Sequence, residues 1–263
     1  MIKRNVIYII GFISCVILFL IYTKINTSTS NKLISTYALV NTDSFLPKYT
    51  QFERENHVKG QQIMKNMFQE FDTICRTNNL KYWCVGGTLL GAVRHKGWIP
   101  HDGDIDVAML KEDYIKLQNI IQSGLPDDMW FQDKTTDNYY KPELGKIRYL
   151  YAQYDDYKDQ SWHNGIQLDI FIYTPHDNIL IPSFRNDENK PREYNSIFPL
   201  REIYFEDILV YAPNQLEKYM IDSWGGYPPP ELPQNKQYPH EGRISFIIPQ
   251  WMKLKYPYLY PSV

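Results

Sequence analysis

The sequence predicts an α+β domain: a mixed sheet flanked by helices and preceded by one N-terminal transmembrane helix. Three observations lead there. An uncharged apolar run opens the chain, a stripe of apolar residues at helical spacing follows a polar stretch, and strand-like alternations then interchange with helical segments.

The opening run, VIYIIGFISCVILFLIY, extends from Val6 to Tyr22 behind Lys3 and Arg4. A bilayer core needs ~20 such residues, with a lower limit of about 17. The following YTKINTSTS contains no small-residue cleavage site of the A-x-A kind, so an uncleaved anchor is expected rather than a signal peptide. The flanking basic residues orient the N-terminus to the cytoplasm, which predicts a single-pass type II membrane protein. In a eukaryotic cell its domain would face the lumen of the Golgi or endoplasmic reticulum. Residues 1–5 are assigned to a cytoplasmic tail, 6–23 to the anchor, 24–55 to a polar stem and 56–263 to one folded domain.

Composition narrows the function. The 263 residues carry a formal net charge of -2, so no global basic field favours a nucleic-acid partner. Only three cysteines occur, and Cys15 lies in the apolar run. Cys75 and Cys84 stand as either a pair or two buried thiols, and neither has zinc-ligand spacing. Aromatic residues make up 15% of the chain, 22 of them Tyr, which suits sugar or base stacking as well as core packing.

From Val58 to Asn79, Ile63, Met64, Met67, Phe68, Phe71, Ile74 and Cys75 recur at helical spacing, and Asn78-Asn79 provides a stop. KYWCV reads as a strand, Gly86-Gly87-Thr88 as a turn, and LLGAV as one or two helical turns. Ile105, Val107 and Met109 alternate with Asp104, Asp106 and Ala108 as a strand with two different faces. KEDYIKLQNIIQS has helical spacing and ends at Gly124-Leu125-Pro126. KIRYLYAQY (146–154) and GIQLDIFIY (165–173) read as two strands joined by a polar loop, FEDILVYAP as another strand, and NQLEKYMIDSW as a helix closed by Gly225-Gly226. No repeat of solenoid period is present.

The chemistry concentrates in HDGDIDVAML. Residues two apart on a strand share a face, so Asp104 and Asp106 lie about 6 to 7 Å apart at the backbone, within reach of one cation. Asp169 is a lone acid among Leu168, Ile170 and Ile172, which is costly unless it is paired or bound to metal. If the two strands are neighbours, three carboxylates converge as ligands for Mg²⁺ or Mn²⁺, and two ions could clamp a phosphoryl transfer. An EF-hand loop fits poorly, because Val107 stands where Gly is needed and Asp113 where Glu is needed. Solvated strand acids and the D-x-D of sugar-nucleotide glycosyltransferases remain alternatives. Gly86, Gly87 and Thr88, after a strand and opening a helix, suit an approaching phosphate.

The stretch VGGTLLGAVRHKGWIPHDGDIDVAML, followed by LDIFIY and VYAPNQLEKYMIDSWGG, resembles the LicD/fukutin family of the DNA polymerase β-like nucleotidyltransferase superfamily. The resemblance covers roughly Val58 to Pro228. It implies a nucleotidyltransferase fold and transfer of an alcohol phosphate, of phosphocholine or ribitol-phosphate type, from a CDP-activated donor to a glycan or glycoconjugate hydroxyl. It carries over Gly86 and Gly87 for the donor phosphates, Asp104 and Asp106 as paired metal ligands and Asp169 as the third carboxylate. Asp102 is often acidic in the family, and His101 replaces a commonly aromatic or apolar residue.

Arg94, within the family-like stretch, and Lys146 and Arg148, alternating on a strand, are further donor-phosphate candidates. His95 and Lys96 have the same chemistry. Asp169 is the natural base for the acceptor hydroxyl, with His163 and His101 as fallbacks. Trp224 is read as core or acceptor platform. A membrane-anchored glycan-binding pseudoenzyme is the alternative from a different class.

Overall fold

The computed structural model describes residues 46, 48–122, 124–155, 161–184, 190–231 and 240–261. The expected anchor (6–23) and most of the stem (24–45) lie outside the described residues. Among the described residues, no helix is long and apolar enough to cross a membrane.

The first helix, α1 (Gln51–Thr77), begins inside the segment assigned to the stem. Thr50 caps it: its hydroxyl accepts from the Glu53 N–H while the Glu53 carboxylate accepts from the Thr50 N–H at 2.6 Å. The first turns are polar and mostly face solvent, so apolar spacing does not reveal them; the T-x-x-E box does. Met64, Met67, Phe68, Phe71 and Cys75 are fully buried.

The chain continues through β1 (Tyr82–Cys84), α2 (Gly86–Arg94), β2 (Ile105–Leu110), α3 (Lys111–Ile121), β3 (Met129–Gln132), β4 (Leu144–Tyr154) and β5 (Gly165–His176). It then forms β6 (Ile179–Pro182), β7 (Arg192–Glu193), α4 (Tyr194–Ile197), β8 (Arg201–Phe205), β9 (Ile208–Ala212), α5 (Leu216–Trp224), β10 (Ile244–Ser245) and α6 (Gln250–Lys255). The main sheet runs β1-β2-β5-β4-β10, with β3 also on β4, β6 on β5 and β7 on β6. Among the described residues, only β2 and β5 pair in parallel.

Cross-strand partners share a face, so the register assigns each side of the sheet. Tyr82, Met109, Ile170 and Ile147 project to one side. There α1 sets Phe68 and Phe71 edge-on against Tyr82, and α3 places Tyr114 beside Gly145 and Phe131. The opposite side starts apolar, with Trp83 against Tyr173 and Phe198. It then turns polar in a row running Asp106–Asp169–Lys146–Gln132 across four strands.

Two segments depart from the sequence reading, and the cysteines resolve an alternative it left open. FEDILVYAP is not one strand: it is broken at Glu206-Asp207, where β8 turns into β9, and Glu206 adopts φ 54°. The strand β3 gave no alternating signal, because it is four residues long. Cys75 and Cys84 are both free and buried, which settles them as thiols.

Ile170 lies fully buried on β5, the strand that carries Asp169. Ile170→Ala should lower the unfolding free energy by roughly 2–5 kcal/mol. Urea denaturation checks this, and a loss under about 1 kcal/mol would show that this layer is not tightly packed.

Candidate active site

The parallel register sets Asp106 directly opposite Asp169, and Asp104 enters from the residue before β2. Asp104, Asp106 and Asp169 each offer a carboxylate oxygen, and these atoms all lie within 4.8 Å of one another. Segments more than sixty residues apart in the chain thus meet at one point. The grouping is confined to hard oxygen donors on a partly enclosed face, a donor set that suits Mg²⁺ or Mn²⁺ and not a soft metal.

Two polar side chains oppose the acids. Lys146 Nζ donates to both oxygens of Asp169, at 2.6 Å each, and to Gln167 Oε1 at 3.1 Å. Gln167 Nε2 in turn donates to Asp104 Oδ2 at 3.3 Å and Asp169 Oδ2 at 3.4 Å. Burial pulls the Lys146 ammonium below its usual value despite Asp169. Burial, and then the Asp169 carboxylate, push Asp104 up to about 6. The site therefore holds more negative charge than one lysine balances comfortably.

The glycine turn touches the acids themselves. Gly86 opens α2 with φ +51°, a conformation that strains L side chains, and a Cβ there would stand 2.3 Å from Asp106 Oδ2. A Cβ on Gly87 would stand 2.4 Å from Asp102 Oδ2. Thr88 is enclosed, and its hydroxyl accepts from the Asp106 N–H at 2.8 Å. The turn thus lets the acidic strand and the start of α2 approach closely; Thr88 serves the strand, whereas the sequence reading had placed it at a phosphate.

Arg148 is likewise placed differently from expectation. It is only 2% exposed, with Nε donating to Gln132 Oε1 at 2.7 Å and Nη1 to Gly165 O and Gln167 Oε1 at 2.6 Å each. Its charge reaches the acids through Gln167. Arg94 is half-buried, with Nε on His95 Nε2 at 2.9 Å and Nη1 on Pro230 O at 3.1 Å.

Neither histidine is well placed as a base. His163 Nδ1 accepts from the Gly165 N–H, and Nε2 lies 2.7 Å from the Tyr260 hydroxyl in a cluster with Trp130 and Tyr256. Burial, then Arg148, hold its pKa well below the usual value. Burial first, then the neighbouring cations, bring His101 down to about 4.

Sequence reasoning missed the residues that hold the acidic loop. Gln61 on α1 donates to the carbonyls of Ile99, Pro100 and Asp102 at 3.3, 3.4 and 2.9 Å, and His57 Nε2 lies 3.1 Å from Pro100 O. From the other side the Tyr154 hydroxyl donates to Gly103 O at 2.7 Å and accepts from the Gln167 N–H at 3.3 Å. Gln167 was legible in one respect: it precedes Asp169 by two on a strand and so shares its face.

A mixed sheet with three acids converging beside a glycine turn defines a nucleotidyltransferase-type domain. The LicD/FKTN/FKRP nucleotidyltransferase domain matches residues 79–215, and the chain belongs to that family. Over 124 residues it is 35% identical to the lipopolysaccharide cholinephosphotransferase LicD of Haemophilus influenzae, covering 43% of this chain and 42% of that protein. Over 157 residues it is 31% identical to the protein RP689 of Rickettsia prowazekii, covering 58% and 49%. Over 172 residues it is 24% identical to the human ribitol 5-phosphate transferase FKRP, covering 63% and 31%. The chain spans half or less of the length of these relatives.

Two substitutions probe the geometry. Gly86→Ala should lower the unfolding free energy by about 1–2 kcal/mol from its left-handed backbone alone, as read by urea denaturation. Gln167→Leu leaves Lys146 and Arg148 short of an acceptor and Asp104 and Asp169 short of a donor, and should lower it by about 1–3 kcal/mol. A loss under about 0.5 kcal/mol would deny the amide its bracing role.

Proposed function

We propose that the protein is a metal-dependent phosphotransferase that moves an alcohol phosphate, of phosphocholine or ribitol-phosphate type, from a CDP-activated donor to a glycan hydroxyl. The observation that carries this reading is the meeting of Asp104, Asp106 and Asp169 within 4.8 Å, on and just before two adjacent parallel strands. The family and the transferase relatives support the reaction class.

In this reading the three aspartates would hold Mg²⁺ or Mn²⁺, which when bound offsets the charge on the donor's phosphates. Gly86 and Gly87 supply backbone N–H groups at the start of α2 for the same phosphates, and Arg94 stands at the far end of that helix. The acceptor oxygen attacks the donor's distal phosphorus in line, and CMP leaves. Asp169 is the group we assign to receive the acceptor's proton, and Lys146, on both its oxygens, holds it in place. The apolar run Val6–Tyr22, with Lys3 and Arg4 ahead of it, supports attachment to a membrane with the domain on the non-cytoplasmic side.

Incubation of the purified full chain with CDP-choline or CDP-ribitol, Mn²⁺ and a glycan acceptor should release CMP. Asp104→Asn and Asp106→Asn should each reduce release by about 10³-fold or more, since removal of a cation's charge stabilisation is worth several kcal/mol. Turnover by Asp104→Asn at the normal rate would overturn the assignment of the acids.

A further inference from the structure

A fourth carboxylate closes the acidic cleft from outside the family-matched residues. Glu241 lies 26 residues beyond position 215, where the match ends. The short strand β10 delivers it: Ile244 and Ser245 pair with Tyr154 and Gln153 at the end of β4, and Asp155 N–H donates to Arg243 O at 2.8 Å. This docking lays Glu241 over Gly103, where a Cβ would stand 2.5 Å from Glu241 Oε2. Gly103 is the residue between Asp102 and Asp104, and its carbonyl is the one held by Tyr154.

The Glu241 carboxyl lies close enough to Asp104 for the two to interact. Its Oε2 is enclosed and has no hydrogen-bond partner among the described residues. Two carboxylates pressed together away from water repel each other unless a proton or a cation lies between them. Lys146 does not serve that contact, since its ammonium is turned to Asp169 and Gln167. An enclosed, unsatisfied oxygen over Gly103, next to an acid that already faces two others, is the arrangement a hard divalent cation completes.

We infer that Glu241 is a further ligand of the divalent cation held by this cleft, sharing it with Asp104, so that the C-terminal segment forms part of the metal site. This rests on the proposed metal dependence and adds a residue that the family match does not reach.

The test is Mn²⁺ binding to the purified full chain without donor, followed by the paramagnetic signal of free Mn²⁺ and by the rise in Tm on adding Mn²⁺ to chelator-treated protein. Glu241→Gln should weaken Mn²⁺ binding about 10-fold or more, the range expected for removal of a supporting metal-site group. In the same variant the metal-free Tm should hold or rise, because a repulsive charge is gone, while the Mn²⁺-induced rise shrinks. Glu241→Asp, which keeps the charge on a shorter arm, should fall between the two and serves if the Gln variant folds poorly. Unchanged Mn²⁺ affinity in Glu241→Gln, alongside loss of binding in Asp106→Asn, would overturn this inference and leave the proposed function standing. Wild-type protein that binds no Mn²⁺ would overturn the metal reading itself.

Discussion

Mutual repulsion among enclosed carboxylates is the constraint around which this domain is arranged. Asp104, Asp106 and Asp169 cannot sit within 4.8 Å of one another on a largely dry sheet face without compensation. Part of it comes from β4, where Lys146 stands in register with Asp169 and Arg148 with Gln167. A lysine clasping Asp169 and an amide spanning two acids disperse the charge without cancelling it. A cleft left with surplus negative charge, close to backbone N–H groups at a helix start, is suited to a cation and a phosphate together.

Holding the acidic loop in place falls to residues that carry no charge at neutral pH. The loop before β2 is gripped from both sides, by His57 and Gln61 on the long first helix and by Tyr154 on β4. Burial lowers the pKa of His57 to about 4, so it stays a neutral donor to the Pro100 carbonyl. Such a grip matters because a small displacement of a reacting group can cost a large factor in rate. The helix that buries Phe68 and Phe71 on one side of the sheet therefore also sets the backbone path of the loop that enters the other.

The elements that were legible were those with a strong local signature. The apolar stripe from Ile63 to Cys75, the alternation around Asp106 and the apolar strand around Asp169 all became the expected elements. The helix start at Gln51 was marked only by its capping box, and β3 was too short to show a period. Arg148 looked like a phosphate ligand because alternation on a strand identifies a shared face with Lys146. It does not tell whether that face is open at a given row. At Arg148 it is closed, by Gln132 and Gln167, and the guanidinium is consumed in bracing.

By itself the sequence determined which residues have the chemistry: an aspartate pair and a lone aspartate, a glycine pair and the spacing that identifies the family. Those properties reside in residue type and short-range periodicity, which local backbone geometry imposes. Only the tertiary structure decided that Asp106 and Asp169 occupy one register position, that Gly86 and Gly87 make room for carboxylates, and that Gln61, Tyr154 and Glu241 reach the same loop. Strand pairing and side-chain contact between distant segments depend on how the whole core packs, and no local pattern encodes that choice.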